Sequence, residues 1–143
     1  MQAIHFLDTN IFVYAHDPTD NIKTAKARSL ITEAYASSKG VISEQVIREF
    51  CNVAVTKFVT QMGTDDIVAT VETELKPLLL ASKSDQAQLY EKTLRLRDRY
   101  SLSFYDALII ESATYSKCEI VYSEDMQHGA NYGGVKVVNP FLE

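Results

Sequence analysis

With 143 residues, 46% of them hydrophobic, the chain has the length of one domain and enough apolar material to bury a core without disulfides or a structural metal. Its net charge of −5 excludes a protein that grips nucleic acid over its whole surface by counterion release, while leaving room for a local patch of Lys and Arg. No apolar run approaches the roughly 18 residues of a membrane span, and Met1 to Leu7 lack the basic start and long apolar stretch of an export signal, so the expected compartment is the cytoplasm.

Ile4 to Leu7 reads as a short strand ending at Asp8, and Asn10 is placed to begin the helical stretch Ile11 to Ala15. After a polar loop, Ile22 to Ser37 carries Ala27, Leu30, Ile31, Ala34 and Tyr35 at helical spacing, with Gly40 closing the connection. Val41 and Ile42 form the next strand. Ser43 is the expected N-cap of a helix whose stripe is Val46, Ile47, Phe50, Val53, Ala54 and Phe58, and Glu49 lies at the edge of that stripe. Two further helices, Asp65 to Leu75 and Asp85 to Arg99, are separated by Pro77 and carry acids in their first turns, as the helix dipole favours. Ser103 caps a helix over Phe104 to Ser116. Glu119 to Tyr122 is a β-branched strand that stops at Ser123, Glu124 and Asp125, and Val135 to Val138 is the last strand.

Strands alternating with helices require crossover connections, hence an α/β fold with a mainly parallel central sheet covered on both faces by helices. In such sheets ligands gather beyond the carboxyl ends of the strands. Asp8 and Asp125 follow strands directly, while Glu49 and Asp106 are expected in the first turns of helices, so all four acids are expected at one rim. Each alone has an ordinary explanation: Asp8 as a capping acid, Asp106 as the acid of a capping box with Ser103, Asp125 as a turn residue. Glu49 is harder to dismiss, because an acid bordering a buried stripe needs a partner to offset its desolvation. Carboxylates gathered from distant segments raise one another's pKa unless a cation lies between them, and the fitting cation is a hard, oxygen-loving divalent ion. Cys51 and Cys118, isolated and without CxxC spacing, are expected to be small buried hydrophobes.

The strings FLDTNIFVYA, SEQVIREF, LSFYDALIIESA, VYSEDMQHG and VVNPF occur in this order, and together they resemble a PIN-domain ribonuclease, most similar to the VapC-type toxins of toxin-antitoxin pairs. The resemblance spans nearly the whole chain. It implies one nuclease domain over residues 1–143, a three-layer PIN-like sandwich, and an acidic quartet of Asp8, Glu49, Asp106 and Asp125 that binds Mg2+, with Mn2+ as a substitute. Asn10 and Ser123 match polar positions beside that site. Glu124 stays outside the set, and so does His128, since a lone His is a poor ligand for a hard metal. In this reading Asp8, Asp106 and Asp125 hold the metal directly or through its waters, Glu49 acts through water or on a second ion, and a carboxylate accepts the proton of the attacking water. The resemblance further implies RNA as substrate, cut internally, a small cognate antitoxin, a homodimer and no membrane.

The phosphate backbone is expected to meet Lys23, Lys26 and Arg28 on one helix, Arg48 and Lys57 beside Glu49, or the cluster Lys92, Arg95, Arg97 and Arg99. A phosphoaspartyl phosphatase is disfavoured because its second Asp would stand where this chain has Asn10, and a receiver domain because Asp8 has no acidic neighbour. The remaining alternative is a non-catalytic PIN-like domain that binds RNA or a partner protein.

Overall fold

The computed structural model describes residues 3–58, 62–79 and 86–142, and only the backbone of Gln86 and Ala87. The expected start of one helix at Asp85 lies outside the described residues. A five-stranded sheet is built from β1 (His5–Leu7), β2 (Gly40–Val41), β3 (Ile120–Tyr122), β4 (Asn131–Tyr132) and β5 (Val135–Val138), in the order β2-β1-β3-β5-β4. All neighbouring pairs are parallel except β4 with β5. The helices are α1 (Thr9–His16), α2 (Asn21–Ser37), α3 (Glu44–Thr56), α4 (Thr64–Thr70), α5 (Gln86–Tyr100) and α6 (Phe104–Tyr115). The result is the α/β sandwich that the alternation of elements requires: α1 packs on α2 and α3, and α5 pairs with α6, which touches β3 and β5. Every residue of β1 is buried, as befits a strand covered on both faces. Phe6, Leu7, Ile11, Phe12, Ile42 and Phe50 are fully buried at the centre of the core.

Four local expectations are revised. Asp8, rather than Asn10, caps α1: its carboxylate accepts the Thr9 N–H, so the helix starts two residues before Ile11. Ser38, in the left-handed conformation at φ 58°, ends α2, whereas Gly40 belongs to β2. Gly40 is needed because a Cβ there would stand 2.3 Å from the Ala34 Cβ, which lets β2 and α2 approach closely. Gly40→Ala is expected to cost about 1–3 kcal/mol of stability through overpacking, measured as a lowered urea midpoint; an unchanged midpoint would mean that α2 shifts freely. The helix expected over Asp65 to Leu75 changes at Val71 into a π-helical turn, Val71–Leu75, followed by a 3-10 turn through Pro77. Pro77 has no N–H to continue an α-helix and crowds the carbonyl four residues back, so the preceding turn widens. Finally, β4 lies before the last strand and was not anticipated. Gly133 (φ 65°) and Gly134 (φ 101°) form its two-residue turn, a conformation that demands positive φ at both positions.

Ser43 and Ser103 stand at the N-caps expected of them. The Ser103 hydroxyl accepts the Asp106 N–H, whereas that of Ser43 makes no capping bond. Cys118 is buried in the core, which pushes its thiol up to about 12, and Cys51 packs against the core as a free thiol. No helix among the described residues is long and apolar enough to cross a membrane.

Candidate metal centre

Asp8 stands at the carboxyl end of β1, and its backbone N–H still bonds the Tyr122 carbonyl at 3.0 Å, which continues the ladder one step past the strand. Its side chain is buried, at 5% exposure. Oδ1 accepts the Thr9 N–H and Oδ2 accepts the Ser123 hydroxyl, both at 2.7 Å. Burial is the largest influence on this carboxyl and lifts it to about 6, against the lowering effect of those two hydrogen bonds; the charges of Asp125 and Glu49 push the same way as burial.

Ser123, fully buried, ties two acids together. Its hydroxyl donates to Asp8 and accepts the Asp125 N–H at 3.1 Å. Asn10 spans the same gap from α1: its Nδ2 donates to Asp125 Oδ2 at 3.1 Å and its Oδ1 accepts the Glu124 N–H at 3.4 Å. The two supporting residues thus tie the end of β1 to the segment after β3, Ser123 from that segment and Asn10 from α1.

Glu49, on α3, accepts the Thr9 hydroxyl at 2.8 Å and the Gln45 side-chain amide at 2.7 Å. Thr9 and Gln45 therefore belong to the site although the sequence reading passed over both. Gln45 precedes Glu49 by four residues, a spacing that places two side chains on one helix face, and that was the available signal. Asp106, half-buried in the first turn of α6, is raised chiefly by burial; the charges of Asp125 and Glu49 add to the effect and Ser103 opposes it.

Asp8 and Asp106 each lie in the field of both Asp125 and Glu49, so the four acids share one electrostatic neighbourhood at the carboxyl end of the sheet. They do not touch. Among the described residues no three His, Cys, Asp or Glu side chains stand close enough to hold one ion directly between them. Asp8, Glu49 and Asp125 each accept hydrogen bonds from neighbouring hydroxyl, amide or backbone donors. The donor set, hard carboxylate oxygens, fits a magnesium-type ion that keeps several of its waters and needs few direct protein ligands.

Glu124 points away from this set. It accepts the Tyr14 hydroxyl at 2.5 Å and the Lys23 ammonium at 2.8 Å, and Lys23 also lies over the Tyr14 ring at 4.8 Å. Lys23 is accordingly paired within the protein at a half-exposed position, a change from its expected role as a phosphate contact. His128 accepts the Asn139 N–H at 3.0 Å and serves the loop. Most of the other expected cations have partners as well, Lys26 and Lys57 being the exceptions among the described residues. Arg28 donates to the Ala15 carbonyl, Arg48 pairs with Glu44, Arg95 with Glu91 and Arg97 with Asp98, Arg99 lies over Tyr100, and Lys92 acts on Glu111.

Residues 5–131 match the model of the PIN domain. The chain belongs to the PIN domain family. Members of this family are in general nucleases that use divalent metal ions. The PIN domain described here is similar to a chain of a toxin-antitoxin complex from Klebsiella pneumoniae (TM-score 0.64, 19% identity, covering 96% of this chain and 98% of the other). It is also similar to a chain of FitAcB from Neisseria gonorrhoeae (TM-score 0.61, 17% identity, covering 95% and 97%). At such identities the likeness is one of fold. No individual curated protein matches the chain.

Proposed function

We propose that this PIN domain is a divalent-metal-dependent endoribonuclease, the toxin of a toxin-antitoxin pair, with Asp8, Glu49, Asp106 and Asp125 as its acidic site. The observation that carries the reading is electrostatic: four carboxylates from four separate elements share one field at the rim where α/β sheets bind ligands. The likeness in fold to a chain of a toxin-antitoxin complex from Klebsiella pneumoniae supports the toxin assignment.

Bound at this rim, Mg2+, or Mn2+ in its place, supplies Lewis-acid neutralisation of the phosphate and a more acidic water. The protein supplies the rest. Asp8, Asp106 and Asp125 would hold the ion directly or through its waters, and Glu49 would act through water or on a second ion. Thr9 and Gln45 fix the Glu49 carboxylate from two sides, and Ser123 fixes Asp8, so neither must reorganise when charge develops on the phosphate. A carboxylate of the set accepts the proton of the attacking water.

Ser123→Ala removes the donor to Asp8 Oδ2 and the acceptor of the Asp125 N–H together. Its cleavage rate is expected to fall about 10–100-fold, with metal affinity weakened in parallel; full activity in a kinetic assay would show that Asp8 is positioned without it.

The reading itself is tested with purified protein and total cellular RNA in manganese. Cleavage that stops on adding chelator and is lost in Asp106→Asn is the expected result. Binding of RNA with no chelator-sensitive cleavage would instead support a non-catalytic PIN domain. The same proposal includes a homodimer and a small antitoxin that covers the acidic rim, which co-purification with the product of a neighbouring gene would reveal.

A further inference from the structure

Asp125 is carried on residues 123–130, the connection between β3 and β4, which belongs to no strand or helix. Its own side chain is exposed, so packing does not aim it. On either side Ser123 and Met126 are buried and pin the connection to the core. Between those pins the direction of Asp125 depends on the hydrogen bonds that its carboxylate accepts from Asn10 and its N–H donates to Ser123, and on whatever fixes the neighbouring Glu124.

Glu124 is fixed from two helices. Its Oε1 accepts the Tyr14 hydroxyl of α1 at 2.5 Å and its Oε2 accepts the Lys23 ammonium of α2 at 2.8 Å, while the ammonium also donates to the Tyr14 hydroxyl at 3.2 Å. The three polar groups thus form a closed triangle, each bonded to the other two. The ammonium lies 4.8 Å from the centre of the Tyr14 ring and 5.8 Å from that of Phe141, and these two rings meet edge-on at 4.9 Å. Arg48–Glu44, Lys76–Glu72 and Arg95–Glu91 are of another kind: their partners are four residues apart and more than half exposed, an arrangement that contributes little. Lys23 and Glu124 lie 101 residues apart at 32% and 26% exposure, where partial exclusion of water strengthens each contact of the network.

We infer that Lys23 and Tyr14 are positioning residues that act on Asp125 through Glu124: the triangle clamps the residue before Asp125 to α1 and α2 and so keeps the Asp125 carboxylate turned toward Asn10. The inference rests on Asp125 belonging to the metal centre and adds what holds it there. An exposed carboxylate on an unclamped connection samples many directions and loses that freedom when an ion binds, whereas one already directed does not. The Glu124 N–H, bonded to Asn10 Oδ1 at 3.4 Å, couples the clamp to the same asparagine that holds Asp125.

The test begins in metal-free protein, with amide hydrogen exchange followed by NMR in the wild type, Lys23→Met, Lys23→Arg, Tyr14→Phe and a control, Arg95→Met. The Glu124 and Asp125 amides should exchange about tenfold faster in Lys23→Met and severalfold faster in Tyr14→Phe, while the Val121 amide in β3 keeps its wild-type rate. Lys23→Arg retains a charge that can reach both the carboxylate and the rings and should recover most of the loss; Arg95→Met should change neither amide. Manganese binding without RNA, measured by isothermal titration calorimetry, should weaken about three- to tenfold in Lys23→Met. Its sign is diagnostic, because losing a positive charge beside an acidic site would by itself tighten a cation. Unchanged exchange at Asp125 in Lys23→Met overturns the inference, as does an equal acceleration at Val121, which would mark a general loss of stability. Tighter manganese binding in Lys23→Met overturns it as well, since Glu124 would then be an acid withheld from the ion. A wild type that binds no manganese brings down the metal-centre reading instead, while exchange at Asp125 still decides whether the triangle holds the segment.

Discussion

Purified Asp8→Asn protein is expected to cleave RNA about a thousandfold more slowly than the wild type in manganese while keeping its folded circular dichroism spectrum. The substitution preserves shape. Oδ1 still accepts the Thr9 N–H, and the new amide group faces the Ser123 oxygen, which can accept as well as donate. What disappears is the charge of the most deeply buried acid of the four, the one whose desolvation a cation would relieve. Undiminished cleavage would remove Asp8 from the site, and an unfolded variant would show that its capping of α1 outweighs its chemistry. In chelator at pH 7 the variant should also be more stable than the wild type, by up to about 3 kcal/mol, because it no longer carries a buried charge whose desolvation its two hydrogen bonds only partly offset.

The same charge links stability to pH and metal. The Asp8 carboxyl lies at about 6 in the folded chain against an ordinary 3.8, so between those values the folded state holds a proton that the unfolded state has released. Stability attributable to this group is therefore fully present below about pH 4, falls as pH rises to about 6, and stays low above it, by about 3 kcal/mol in all. Asp106, raised in the same direction, adds to the slope. A divalent ion takes the place of the proton. At neutral pH, manganese at about a hundred times its dissociation constant should raise the wild-type Tm by roughly 5–10 °C, and should do much less in Asp8→Asn. Differential scanning calorimetry of both proteins from pH 4.5 to 7.5, with and without metal, measures the effect. Equal pH profiles in chelator, or equal shifts with manganese, would break the link between this carboxylate and the ion.

Several elements of the site were legible because their signals are local. Ser103 followed by Asp106 announces a helix entrance, and an acid directly after an apolar strand announces a turn, whatever lies elsewhere. The Gly133–Gly134 hairpin was equally local, and its missed strand, β4, reflects a turn signal that was present and unused. The fate of the cations was of another kind. Lys23 looks like a surface lysine of an amphipathic helix, and its actual partner, Glu124, lies 101 residues away. Thr9 was invisible as a support for Glu49 for the same reason, since it reaches that side chain across 40 residues of chain.

By itself the sequence determined the alternation of strands and helices, hence the parallel sheet, and the order in which four acids would arrive at its carboxyl rim. Those follow from hydrophobic period and short-range capping, which act between neighbours in the chain. Only the tertiary structure decided which oxygens each acid would rest on, that Asp8 alone of the four would be almost wholly removed from water, and that Glu124 would turn to Lys23 rather than to the site. Hydrogen bonds, burial and charge act over a few ångströms of space without regard to separation along the chain, so they are settled only when the sheet has closed.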